Sequence, residues 1–282
     1  MKKLFSCRGR LVDLSTPLVM GILNITPDSF FDGGKYGDEK GILAHTQKML
    51  QEGAAMIDIG AQSTRPKAVL ISAEEEWKRL QPVLKSLRKE FPEAIFSVDT
   101  FYSTVAERAV GEGADFINDT SGGTIDEKMF STIAKLNVPY VLMHIQGTPQ
   151  TMQQNPHYEN VTKEVMDFFV ERIQKLTSLG VNDIIIDVGF GFGKNIEHNY
   201  ELLNHLDLFR MFEKPVLVGL SRKSMVNKVL GVKAEDALNG TSVLNTIALM
   251  KGANILRVHD VREATEAIRL TQMIDVNKSV LS

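Results

Sequence analysis

Ile184-Ile185-Ile186-Asp187-Val188-Gly189-Phe190-Gly191-Phe192-Gly193-Lys194 is the stretch that decides how the chain folds. Three β-branched residues in a row predict a strand buried on both faces, as in a parallel sheet. Asp187 then stands at the strand's C-terminal tip, the rim on which alternating βα proteins place their chemistry. The glycines let backbone approach a flat ligand closely. Phe192 offers a face to cover such a ligand. The stretch is neither a dinucleotide loop, because its third glycine comes one residue early, nor a phosphate-binding P-loop, because Val188 stands where the first glycine is needed.

Other strands end in the same manner. Leu18–Leu23 ends at Asn24, Met56–Ile59 runs into a loop through Arg65, and Ile95–Val98 ends at Asp99. Phe116-Ile117 ends at Asn118-Asp119, Tyr140–Met143 at His144, Val216–Val218 before Gly219-Leu220-Ser221-Arg222-Lys223, and Ile255–Val258 at His259. Helical stretches separate them. Ser72-Ala73-Glu74-Glu75 reads as a capping box opening one helix, and Ser103 as the cap of the next. Eight strands spaced on average about thirty residues apart, the size of a βα unit, predict an α/β fold. A doubly wound sheet also alternates, but the count and the lack of a linker favour a single (β/α)8 barrel over residues 1–282. Residues 1–17 contain Leu4–Leu14 with Gly9 in its middle, a hairpin expected to close one end of that barrel.

Composition narrows the function. The chain has 282 residues, 43% hydrophobic and 24% charged, with a net charge of −3. That balance argues against nucleic acid as the main partner. The one cysteine, Cys7, excludes an intramolecular disulfide framework and suits a reducing compartment. Arg8 and Arg10 interrupt the signal-like start Met1-Lys2-Lys3-Leu4-Phe5, and no apolar run approaches the roughly 20 residues that span a bilayer. The expectation is a soluble cytoplasmic protein with no membrane partner.

A barrel gathers Asn24, Asp99, Asn118, Met143, Asp187, Lys223, Arg257 and His259 around one cavity. A carboxylate accepts paired N–H bonds from an amino-pyrimidine edge, Lys223 donates to a ring carbonyl, and Phe192 and Met143 give flat or polarizable surface. Arg65 and Arg257 are forks for phosphate oxygens, with His259 a further donor. Asn24, with Asp28 beyond it, offers oxygen to Mg²⁺, which takes few protein ligands beside substrate phosphates. Each residue also has a structural reading. A strand-end aspartate is as often a helix cap or loop staple, Arg257 an ion pair, and the phenylalanines core. His45, His157, His198 and His205 lack metal spacing. No Ser or Cys nucleophile has supporting spacing.

Seven motifs then carry a resemblance. They are Gly21-Ile22-Leu23-Asn24-Ile25-Thr26-Pro27-Asp28-Ser29-Phe30, Ser63-Thr64-Arg65-Pro66, Ser97-Val98-Asp99-Thr100, Ile117-Asn118-Asp119, Asp187 with Gly189–Lys194, Ser221-Arg222-Lys223-Ser224, and Arg257-Val258-His259-Asp260. In this order they resemble the signatures of the dihydropteroate synthases, from about Leu18 to the C-terminal helix. The resemblance implies a (β/α)8 barrel that condenses 6-hydroxymethyl-7,8-dihydropterin diphosphate with 4-aminobenzoate, requires Mg²⁺ and pairs as a homodimer. It implies that Asp99, Asn118, Asp187 and Lys223 hold the pterin, with Arg257 stacked near it, and that Asn24 meets the metal. Arg65, Arg257 and His259 attend the diphosphate, and Thr64, Pro66, Phe192 and Ser221 shape the aminobenzoate site. Asp99, Arg65, Lys223 and His259 are the expected catalytic residues.

Ala61-Gln62 stands where the family has Gly-Glu, Lys67 where it has Gly, and Val188 where it has Pro. Two rivals share the pterin floor. A methyltetrahydrofolate-binding barrel has no use for Asn24, Arg65 and His259 as a diphosphate site. A non-catalytic pterin-binding module is expected to have lost one of the loop signatures, and this chain keeps both.

Overall fold

The computed structural model describes residues 4–25, 39–62 and 70–278. Strands β3 (Leu18–Asn24), β4 (Met56–Gly60), β5 (Ile95–Asp99), β6 (Phe116–Asp119), β7 (Tyr140–Met143), β8 (Ile184–Asp187), β9 (Val216–Val218) and β10 (Ile255–Val258) close into a parallel barrel in chain order, β10 pairing with β3. The predicted barrel is therefore the observed one.

Helices wrap its outside: α1 (Glu39–Gln51), α2 (Ala73–Glu90), α3 (Ser103–Gly111), α4 (Met129–Leu136), α5 (Val161–Ser178), α6 (Ile196–Asn204), α7 (Ser224–Leu230), α8 (Leu238–Met250) and α9 (Val261–Lys278). Side chains alternate across a strand. One set, including Ile57, Ile59, Val98, Ile117, Leu142, Ile184, Ile186 and Val258, packs outward against the helices in the main apolar core.

The other set faces inward and is layered. Met56, Phe116, Val141, Ile185, Leu217 and Ile255 form an apolar floor. Two residues further along the same strands come Asp58, Asn118, Met143, Asp187, Gly219 and Arg257, with Ser97 of β5 beside them. Two further come Gly60, Asp99, Ile145, Gly189, Ser221 and His259. The polarity changes sharply in one register step, and that step sets the site's depth.

The N-terminal hairpin, β1 (Leu4–Cys7) and β2 (Arg10–Asp13), is antiparallel and caps the floor. Its Phe5, Cys7 and Leu14 pack into the apolar layer, with Phe5 edge-on to Phe116 at 5.4 Å between ring centroids. Burying a side chain of that size contributes roughly 1.5–3 kcal/mol. Ser6 N–H donates to Asp183 (3.0 Å), and Arg8 reaches Asp115 (3.2 Å).

Two local expectations are corrected. Ser103 does not cap α3: the cap position is Tyr102, and the Ser103 N–H is received by Asp126 Oδ2 at 2.8 Å from another loop. Ser72 caps α2 through the Glu75 N–H, but the reciprocal half of the box is lost because the Glu75 carboxylate pairs with Arg79. Helix α7 falls in a stretch to which the sequence reading assigns no element.

Candidate active site

Arg257 stands at the centre of the barrel mouth. Its Nε is 2.6 Å from Asp58 Oδ2 and its Nη2 3.0 Å from Asp99 Oδ2, so it bridges the inner layers of β4 and β5. The same Asp58 oxygen accepts from Asn118 Nδ2 at 2.9 Å. Asp58 is fully buried, and Arg257 is 19% exposed. Gly219 lies beside both cations: a Cβ there would be in ordinary contact, 3.6 Å from Lys223 Nζ and 4.0 Å from Arg257 Cβ.

Four expected pterin ligands thus share one mouth. Burial pushes the Asp99 carboxyl up to about 7, against the pull of Arg257 and with the push of Asp58, Asp119 and Asp187. Burial brings the Lys223 ammonium down to about 8, opposed by Asp187. Asp187 is raised by burial, while Lys223 and a hydrogen bond from the Gly189 N–H (2.8 Å) favour its anion.

The loop after β8 is held from beneath by Lys194. Its Nζ meets His144 Nδ1 at 2.9 Å, Gly189 O at 3.0 Å and Phe192 O at 3.0 Å. Its nitrogen is thus tied to the β7 loop on one side and to two carbonyls of the β8 loop on the other. Gly189 has φ +71°, and a Cβ there would come 1.9 Å from His144 O, so the backbones of two loops touch at that point. Lys223 donates to Phe190 O from above and lies 4.8 Å from the Phe192 ring. Phe190 is core, as the structural reading had it. Phe192 is partly exposed and packs on Met143, Ile145 and Met152, an apolar wall beside the polar floor.

At the far side, Ser221 Oγ lies 3.0 Å from His259 Nδ1 and accepts the His259 N–H at 3.2 Å. The adjacent pair repeats the tie: Arg222 forks onto Asp260 at 2.9 and 2.8 Å. The loops after β9 and β10 are therefore stapled twice. Asn24 is exposed at the tip of β3. A Cβ on Gly60 would lie 3.4 Å from Asn24 Oδ1 and 3.9 Å from Asp99 Oδ2, so both oxygens overlook the same bare stretch of backbone.

Thr64, Arg65, Pro66, Lys67 and Asp28 lie outside the described residues. Gln62 accepts the Ile71 N–H at 2.9 Å, and Val188 is core. Asp119 is a staple: it accepts from Tyr140 Oη (2.6 Å) and the Ser121 N–H (2.7 Å). His198 completes a capping box with Asn195. Two residues were not singled out from sequence, Asp58 and His144. The signal for Asp58 was present, since a carboxylate inside an apolar strand needs a buried partner.

Residues 20–259 match the family described as pterin binding enzyme. The chain is 43% identical over 272 residues to the dihydropteroate synthase of Escherichia coli (strain K12), covering 96% of this chain and 95% of that one. It superposes on the Yersinia pestis dihydropteroate synthase in a sulfonamide drug complex with a TM-score of 0.92 at 42% identity, covering 97% and 99% of the two chains. The Xanthomonas albilineans dihydropteroate synthase with 4-aminobenzoic acid gives 0.90 at 38% identity, covering 98% and 99%. With barrel, mouth and likeness in agreement over nearly its whole length, the chain belongs to the pterin-binding enzyme family, among the dihydropteroate synthases.

Proposed function

We infer that the chain condenses 6-hydroxymethyl-7,8-dihydropterin diphosphate with 4-aminobenzoate to 7,8-dihydropteroate and pyrophosphate. The observation that carries this reading is the convergence of Asp99, Asn118, Asp187 and Lys223 around Arg257. Asp187 and Asn118 suit the N–H edge of a pterin, and Lys223 suits its carbonyl oxygen. The bond between the pterin methylene carbon and the diphosphate oxygen breaks, its electron pair leaving with pyrophosphate. The methylene left behind has cationic character, and the Asp99 carboxylate stabilises it. The arylamine nitrogen then bonds to that carbon and gives its proton to pyrophosphate or water. By the same resemblance, Arg257, His259 and Arg65 would meet the departing phosphate charge. The wall of Phe192, Met143 and Met152 excludes water beside the reacting carbon.

Mg²⁺ fits this mouth. The described residues contain no cluster of three His, Cys, Asp or Glu that could cage a metal. A single amide oxygen such as Asn24 Oδ1 matches an ion that keeps waters and substrate phosphates as its main ligands. When bound there it would neutralise leaving-group charge.

A homodimer is part of the same reading. Adjacent helices α8 and α9 expose Val243, Met250 and Leu270, the last 71% exposed, a face suited to a second copy. Among the described residues no helix is long and apolar enough to cross a membrane, and the one cysteine, a buried free thiol, fits a cytoplasmic setting.

Pyrophosphate release is the test. It is expected only with both substrates present, and to fall when Mg²⁺ is removed. Arg65→Ala is expected to lower turnover by ~100–1000-fold, the scale of one charge-stabilising donor. A loss smaller than about tenfold removes Arg65 from that role.

A further inference from the structure

Asp58 lies in the layer of Asn118, Asp187 and Arg257, but on β4, a strand that contributes to none of the family motifs quoted above. Its side chain is fully buried, and one oxygen serves two donors on other strands: Arg257 Nε of β10 at 2.6 Å and Asn118 Nδ2 of β6 at 2.9 Å. Asn118 sits two strands away, across β5. On β5 the buried Ser97 stands in register with Asp58, and Asp99 with Asn118.

This contact has a chemical consequence for Asn118. An amide can rotate to present either its oxygen or its nitrogen. Against a buried carboxylate oxygen only the N–H end is attractive, since oxygen against oxygen would be repulsive and unsolvated. The Asn118 oxygen is therefore turned away from Asp58, and with the remaining N–H it is left for a ligand. Arg257 is constrained likewise: with Nε on Asp58 and Nη2 on Asp99, the guanidinium plane is fixed by two carboxylates rather than one.

We propose that Asp58 is a positioning residue for pterin recognition, fixing the Asn118 amide with its oxygen available to a ligand N–H and holding the Arg257 guanidinium at the centre of the mouth. The proposal rests on the pterin reading of the site. Wild-type turnover tests that reading by itself, so the two can fail separately.

Asp58→Asn keeps the shape and removes the charge. It is expected to raise KM for the pterin diphosphate about tenfold or more, the scale of a lost charge-assisted hydrogen bond. KM for 4-aminobenzoate should stay within about twofold, because Asp58 touches only the pterin-holding residues. In an Asn118→Ala background the same substitution should cost less, as coupled residues require. Both KM values moving together, or neither moving, would overturn the proposal. A second measurement needs no variant. In ¹⁵N-labelled wild-type protein without ligand, one Asn118 side-chain amide proton should be shifted downfield and protected from solvent exchange. Two equivalent, freely exchanging protons would also overturn it.

Discussion

Lys194 Nζ lies 2.9 Å from His144 Nδ1, joining the loops after β7 and β8 across fifty residues of sequence. Burial drives the pKa of both groups well below their ordinary values. Burial disfavours the charged form of each, and the two nitrogens share one hydrogen bond. The pair underlies the loop that presents Phe192 and supports Asp187.

Lys194→Met should cost both stability and function. Removing this side chain alone leaves the buried groups it contacts without their partner, about 1–3 kcal/mol for each acceptor stranded, so Tm should fall by roughly 2–4 °C for each kcal/mol lost. The Gly189 and Phe192 carbonyls lose their common donor, and KM for the pterin diphosphate should rise about tenfold. Steady-state kinetics beside a thermal melt would check both outcomes.

Gly189→Ala should be costly at the same point. The added methyl would fall 1.9 Å from the His144 carbonyl oxygen, at a φ of +71°. Neither neighbour is a flexible side chain that could yield. A loss of about 3 kcal/mol is expected, a fall in Tm of roughly 6–12 °C in a domain of this size. Calorimetric melting measures it directly.

Asp187→Asn should weaken pterin binding by about 10–100-fold, the range for losing a charged acceptor. One amide oxygen can still receive the Gly189 N–H, so the loop keeps its support. The other arm becomes a donor facing a donor. Titration calorimetry with a pterin analogue is the check, and unchanged affinity would remove Asp187 from the site.

Glu76 gives a prediction about pH. Burial pushes this carboxyl from 4.5 to about 8, with the nearby Thr100 side chain opposing and Asp99 adding to the rise. The folded chain therefore holds a proton between about 4.5 and 8 that the unfolded chain releases. Its contribution to stability is full below the unfolded pKa and is lost as pH rises through the folded one. Glu76→Gln removes that slope. The variant should gain on wild type as pH is raised from 5 to 8, by roughly 2–4 °C in Tm for each kcal/mol recovered.

The rim was legible in the sequence because two simple rules act together. Apolar runs mark buried parallel strands, and the first polar residue after each run lands at a tip. Asp99, Asn118 and Asp187 follow from that alone. Asp58 does not, because it lies before its tip, and only the alternation of side chains puts it in the Asn118 layer. The pairing of Lys194 with His144 was hidden for another reason. A cation satisfied by carbonyl oxygens leaves no pattern, since every residue has a carbonyl. The cap of α3 was misread because Asp126, its true partner, is distant in sequence.

The hairpin that seals the apolar floor turns the barrel into a blind well. Phe5 and Leu14 stopper the lower end, so molecules come and go by the upper opening alone. Depth then dictates traffic: what rests on Asp187 and Asn118 must be seated before anything settles over it, and must wait its turn to leave.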